Sequence, residues 1–275
     1  MLGRTLLGDE TAVTACLLYL SVPSVNLITL HLDQVLLPLL ATLPVVLIVA
    51  SCVRRSIALA VLGGLALYLA AYFSFGLASM AVIVMAVFMV MLLKAPSRNW
   101  QSTLRLSGAA LAAMAAFDAS MRFFLSYDIV TRYTDASVFH AEWRGWEGGS
   151  DTLLRAGLTS TVEFFVWLGL PMTVLLMGGA GCFVHRALKT RRASLLSGLS
   201  SALAGVFLLL LLYGRTKAET GRLWMYLIPV ICVVVARFMH SNVHFRRDRR
   251  VALTLFVLAL QLGTVYLTLR HQNFF

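Results

Sequence analysis

Runs of about 18 to 25 predominantly apolar residues recur along the whole chain, and no other feature constrains its fold as much. A run of that length crosses the roughly 30 Å hydrocarbon layer as an α-helix, and inside that layer only structures that satisfy every backbone N–H and C=O internally persist. Nine such runs can be read, at about 11–30, 34–53, 56–73, 76–93, 106–125, 159–184, 194–213, 223–240 and 251–269. The first is interrupted by Pro23, Asn26, His31 and Asp33, so a re-entrant or surface segment is the competing reading there. With 60% hydrophobic and 13% charged residues and a mean hydropathy of +0.85, little is left over for a soluble domain. The expected fold is an all-α polytopic transmembrane helix bundle, a single domain over residues 1–275, with an outer loop of about 30 residues at 126–158.

The net charge of +11 lies in short basic clusters between apolar runs, where such clusters set topology and touch anionic headgroups. That placement argues against a nucleic-acid partner, which needs a folded basic face. The clusters are Arg54 and Arg55; Lys94, Arg98 and Arg105; Arg186, Lys189, Arg191 and Arg192; and Arg246, Arg247, Arg249 and Arg250. With nine spans, all four fall on one side, and with Arg4 that side holds 14 of the 23 basic residues. It is therefore read as cytoplasmic, which makes the chain a multi-pass protein of the inner or plasma membrane with its N-terminus inside and its C-terminus outside. No cleavable signal peptide is read ahead of Asp9 and Glu10.

The same topology sorts the acids: nine of the twelve, including Asp33, Asp118, Glu163 and Glu219, fall outside or in the outer half of a span. An ionisable residue in a span costs about 2.5 to 3.5 kcal/mol on insertion scales, so each calls for a partner or a wet cavity. Asp118 and Arg122, at i and i+4, can pair on one helix face as structural or cavity charges. Glu163 has no partner within its own helix and is expected to face a polar outer cavity shared with that pair. Arg237 lies in an inner half and can snorkel to the interface. Cys16, Cys52, Cys182 and Cys232 read as small apolar residues, since no CxxC pattern or histidine partner accompanies them. His240 and His244 have helical spacing but no third ligand, so no metal site is assigned. No cofactor is evident; a divalent cation is compatible with the pattern but not indicated by it.

Charge also interrupts two apolar runs in "YGRTKAETGRLWMYLIPV", residues 213–230, where Arg215, Lys217, Glu219 and Arg222 sit between Gly214 and the apolar "LWMYLIPV". Positive charge is disfavoured on the outer side, and three cations beside one carboxylate suit a phosphate or anionic lipid headgroup. Glu219 and Arg222 at i and i+3 could fix that geometry at the start of the following span.

This stretch resembles a pattern found late in GT-C superfamily membrane glycosyltransferases: small residue, Glu, two residues, Arg, aromatic, apolar, Pro. "LHLDQVLLPLLA" at 30–41, "YFSFGLAS" at 72–79 and "VEFFVWLGLPMTVLL" at 162–176 resemble, in the same order, other segments of the second half of such enzymes. The resemblance implies transfer of a sugar from a polyprenyl-phosphate carrier at the extracytoplasmic face, with Arg215, Lys217 and Arg222 holding the phosphate and Glu219 orienting Arg222. It also implies a catalytic acid in a large first outer loop, and here that loop is only about "HLDQ". No catalytic residue is thereby assigned; Asp33 and Glu163 are the candidates. The departure points to a shortened or split enzyme completed by a separate N-terminal catalytic portion, or to a noncatalytic subunit or scaffold. A transporter or flippase-like protein is the remaining alternative, against which the inner halves of the spans carry almost no ionisable residue.

Cysteines introduced at Ser150 and Lys217 are expected to react with a membrane-impermeant thiol reagent added from outside, and one at Lys189 is not. Labelling of the Lys189 position together with Ser150 would overturn the orientation.

Overall fold

The computed structural model describes residues 8–27, 32–94, 100–143, 150–190, 194–213, 224–241 and 247–271. Among them the chain is helical almost throughout and has no strand. The helices are α1 Asp9–Ser21, α2 Pro23–Leu27, α3 Leu32–Arg54, α4 Ile57–Phe73, α5 Met80–Lys94, α6 Trp100–Leu125, α7 Ile129–Trp143, α8 Ser150–Leu168, α9 Leu170–Thr190, α10 Leu195–Tyr213, α11 Ile228–Ser241 and α12 Arg247–His271. Two 3-10 turns, Phe75–Ser79 and Met225–Leu227, lead into α5 and α11.

Among the described residues five stretches are long and apolar enough to cross a membrane: Leu36–Arg54, Phe75–Leu93, Trp100–Leu125, Leu195–Leu212 and Asp248–Arg270. The bent pair α8 and α9 makes a sixth if it counts as one crossing. Ile57–Phe73 and Met225–Ser241 are apolar but shorter. The nine runs of the sequence thus meet helices, yet not nine helices of full crossing length. The run at 11–30 resolves into α1 and α2, broken at Val22 because Pro23 opens the second helix, where its missing N–H costs nothing. The long loop at 126–158 contains α7 and the start of α8.

The core is organised around α11. Ile228, Val230, Ile231, Cys232, Val234, Val235 and Ala236 are almost completely enclosed, by α1, α9, α10, α12 and part of α3. Outward-facing side chains are apolar as well, among them Leu255, Phe256, Leu262 and Tyr266 of α12, Phe123 and Phe124 of α6, and Leu208 and Leu212 of α10. A bundle with apolar side chains inside and out suits lipid, where helices associate by close packing and not by expulsion of water. Two glycines make that packing close: a Cβ on Gly64 of α4 would run into the carbonyl of Ala110 of α6, and one on Gly157 of α8 into the carbonyl of Leu211 of α10.

The expected single span at 159–184 is interrupted. The chain turns by 109° between α8 and α9, at Gly169, which has φ +90°. Its N–H still caps α8 by reaching the carbonyls of Phe165 and Val166 at 3.2 and 3.0 Å. Thr173 Oγ1 donates back to the carbonyls of Phe165 and Gly169, both at 3.0 Å. Gln261 of α12, fully buried, donates through Nε2 to the carbonyl of Leu168 at 2.5 Å. A Cβ on Gly169 would collide with that carboxamide. Broken helices persist in lipid only when neighbours satisfy the freed backbone groups, and α12 does so here with one side chain.

Gly169→Ala therefore carries two costs, a left-handed backbone worth about 1 to 2 kcal/mol and displacement of Gln261. Gln261→Leu leaves the Leu168 carbonyl unpaired, at about 1 to 3 kcal/mol. Both variants are expected to lower the heat- or SDS-unfolding midpoint of detergent-solubilised protein, while Leu262→Ala on the exposed face of α12 has little effect. An unchanged midpoint for Gly169→Ala would contradict the described break.

Candidate functional site

The short turn Met225–Leu227 is where the distant parts of the chain meet. Trp224, at its entrance, is buried and stands 5.5 Å from Phe164 of α8 and 6.1 Å from Phe207 of α10, ring centre to ring centre. Phe164 and Phe207 are themselves 5.4 Å apart, closing an aromatic triangle. Tyr226 is buried, and its hydroxyl shares a 2.7 Å hydrogen bond with Ser79 Oγ at the end of the turn before α5. The turn thus joins residues of three separated stretches, at 72–79, 162–176 and 213–230, and α3 packs against it as well. The indole N–H of Trp224 has no hydrogen-bond partner among the described residues.

Arg215, Lys217, Glu219 and Arg222 lie outside the described residues, in the ten positions between α10 and Trp224. Asp33 is the second residue of α3, with its side chain also outside the description. Glu163 sits on α8 directly before Phe164, at the margin of the buried stripe Ala156, Ser160, Phe164 and Leu168. It is half-buried and has no hydrogen-bond or ion-pair partner among the described residues.

The second polar centre is at the C-terminal end of α6. Asp118 accepts from Arg122 Nε at 2.8 Å on one carboxylate oxygen and from the hydroxyl of Tyr68 of α4 at 2.9 Å on the other. Arg122 then reaches across the end of α6, Nη2 lying 3.1 Å from Asp128 Oδ1. Asp128 also accepts from the backbone N–H of Val130 at 2.9 Å, so it is the N-cap of α7. Tyr72 and Tyr127 pack at 5.0 Å and Phe75 and Tyr133 at 5.4 Å, tying the ends of α4, α6 and α7 together. Arg122 remains about half exposed (47%), against 24% for Asp118 and 37% for Asp128, so water screens the pairs and each contributes little alone.

One guanidinium serves two carboxylates in this cluster, which makes it a latch between helices with a residual negative charge. The structure brings Asp118 and Arg122 together but does not bring Glu163 to them: α8 packs on α2, α9 and α10, whereas α6 packs on α3, α4 and α5. Tyr68 and Asp128 complete the cluster and were not anticipated from the sequence. The cap was visible in "YDIVT", an Asp directly before an apolar run; Tyr68, 50 residues from Asp118 along the chain, gave no local signal.

Among the described residues no three His, Cys, Asp or Glu side chains gather so as to hold a metal ion. His240 Nε2 bonds to Thr14 Oγ1 at 2.9 Å, and His244 lies outside the description. The four cysteines are unpaired thiols.

No protein-family model, no curated protein and no solved structure matches the chain. The fold defines a helical membrane protein with five or six helices, among the described residues, long and apolar enough to cross a bilayer.

The Asp128 carboxyl is held below its ordinary range, first by the Val130 N–H, against the opposing effect of desolvation, and then by the Arg122 guanidinium. Burial, followed by its neighbour Tyr72, pushes the Tyr127 phenol up. Because the folded Asp128 value is depressed, the cap is intact above the unfolded carboxyl range and is lost as pH falls through the folded value. In Arg122→Gln the Asp128 midpoint, read by carbonyl 13C NMR in micelles, is expected to rise while staying below that of an unstructured Asp. A midpoint unaffected by the substitution would mean that the guanidinium does not act on Asp128.

Proposed function

We propose that the chain is a GT-C-like membrane glycosyltransferase, or the C-terminal portion of one, acting on a sugar carried by a polyprenyl phosphate at the extracytoplasmic face. One observation carries this reading: of the four stretches that resemble such enzymes, three, at 72–79, 162–176 and 213–230, meet through Ser79, Phe164, Trp224 and Tyr226 at the turn into α11, and α3, which opens within the fourth, packs on the same turn. That turn follows directly on the segment holding Arg215, Lys217, Glu219 and Arg222. In this proposal the three cations bind the carrier phosphate, Glu219 orients Arg222, and the prenyl chain lies along the apolar helix surfaces. Glu163, a carboxylate without a described partner one residue from Phe164 in the aromatic triangle, is the candidate to receive the acceptor's proton, and Asp33 is the other.

A noncatalytic subunit is the second reading. It is favoured by the commitment of both Asp118 and Asp128 to Arg122, which takes these two acids out of general-base chemistry. Binding without transfer by the purified chain would select it.

Arg matters more than Lys at such a site, because a guanidinium holds two phosphate oxygens at once and an ammonium acts as a point charge. Charge-assisted hydrogen bonds contribute roughly 1.5 to 3 kcal/mol each, so Arg222→Lys is expected to weaken binding of a polyprenyl-phosphate analogue by about tenfold. Changing Arg215, Lys217 and Arg222 together to Gln is expected to abolish it. Equal binding by that triple variant would reduce the segment to a solvated connector and remove the donor-site proposal.

A further inference from the structure

Helix α7 has 15 residues, yet among its described side chains none is buried and only Ile129 and Ser137 are half-buried. A helix of about 12 to 15 residues is marginal in water by itself and draws its stability from a surface on which to lay one face. The rest of the chain gives α7 only a narrow one. Ile129, Tyr133 and Ser137, at i, i+4 and i+8, form the stripe turned to the bundle, where Tyr133 packs on Phe75 at 5.4 Å.

Two anchors fix how the helix runs. Asp128, directly before it, takes Arg122 of α6 at 3.1 Å, and Tyr133 rests on Phe75. Phe75 opens one stretch of crossing length and Leu125 closes the next, so both lie at the same face of the membrane. Tyr72 and Tyr127, stacked at 5.0 Å, agree with that level. Asp128 and Tyr133 are about 7.5 Å apart along the axis at about 1.5 Å per residue. With both held at the edge of the spans, α7 runs along the membrane surface and not away from it.

The remaining sides of α7 differ in polarity. Arg132, Ala136 and Phe139 share one stripe at i, i+4 and i+7, and Phe139 is 70% exposed. Thr131, Asp135 and Glu142 share another, with Val138 among them, and all are exposed. The chain enters α7 from Phe123, Phe124 and Leu125, the last residues of a crossing helix, of which the two phenylalanines are 81% and 77% exposed. Lipid already reaches those rings, and Phe139 is held at their level by the two anchors, so the same lipid covers it without a further protein.

We propose that α7 is a membrane-surface helix, lying in the phospholipid headgroup layer at the face where α6 ends, with Phe139 below the phosphates and Asp135 and Glu142 in water. Arg132, on the Phe139 side, extends its guanidinium on an apolar stem to the phosphate level. The placement does not depend on the proposed glycosyl transfer.

The test uses the full chain in phosphatidylcholine vesicles, with a ketone-bearing amino acid at one position coupled to a nitroxide, so that the native cysteines stay in place. Power-saturation EPR then compares access of oxygen, which concentrates in lipid, with access of a water-soluble nickel chelate. A label at the Phe139 position is expected to favour oxygen, at a depth of about 5 to 10 Å below the phosphates, and one at the Asp135 position to favour nickel. With the label at the Ala136 position, Phe139→Asp is expected to move it from oxygen towards nickel access while helicity and elution volume stay unchanged. Nickel access at the Phe139 position equal to that at Asp135 would overturn the proposal by placing α7 in water. Protection of the Phe139 position from both reagents would overturn it by revealing a second copy or another protein there. No response at the Ala136 position to Phe139→Asp would remove Phe139 as the anchor in lipid.

Discussion

Everything else in the molecule depends on the enclosure of α11. In water an apolar helix is buried because water expels it; in a bilayer that drive is absent, since lipid tails are as apolar as leucine. Enclosing Ile228–Ala236 on every side therefore rests on complementarity of shape. The run of valines at 233–235 supplies it with stiff, β-branched side chains that keep one dominant rotamer in a helix. Cavities there are costly because α9 already meets α11 closely through Gly179, where a Cβ would run into Phe238, and has little room to collapse further. Placing one rigid helix at the centre also fixes the position of whatever leads into it, and what leads into it is the turn where Ser79, Phe164 and Trp224 come together.

The apolar architecture was legible from the residues. The runs at 34–53 and 194–213 are α3 and α10 within two residues at either end, because a run of that length has no competing use. The break at Gly169 was not read, although "LGLPM" carried the signal: a glycine suited to a left-handed C-terminal cap, then proline in the first turn of a new helix. Counting apolar residues passes over such punctuation, since Leu, Gly and Pro do not lower the hydropathy of a window enough to divide it.

The polar centres were legible only where both partners lie within one turn of helix. The spacing of Asp118 and Arg122 announces a pair, but whether the pair is isolated or part of a latch depends on Tyr68 and Asp128, which the folded chain supplies. Glu163 shows the converse. Its lack of a local partner was readable, whereas its separation from α6 follows from which helices pack together, and a single sequence does not encode that in any periodicity.

The bond from Gln261 to the Leu168 carbonyl joins positions 93 residues apart, so it also imposes an order on biogenesis. When α8 and α9 leave the ribosome, the carbonyl at their junction has no partner, and about ninety more residues must be synthesised before the one that caps it is made. Until then the kinked pair has to stay near water or translocon, or hold its carbonyl in some other way. The last apolar helix is thus a clasp as well as a wall, and the bend it closes is the part of the bundle that lipid alone could not keep.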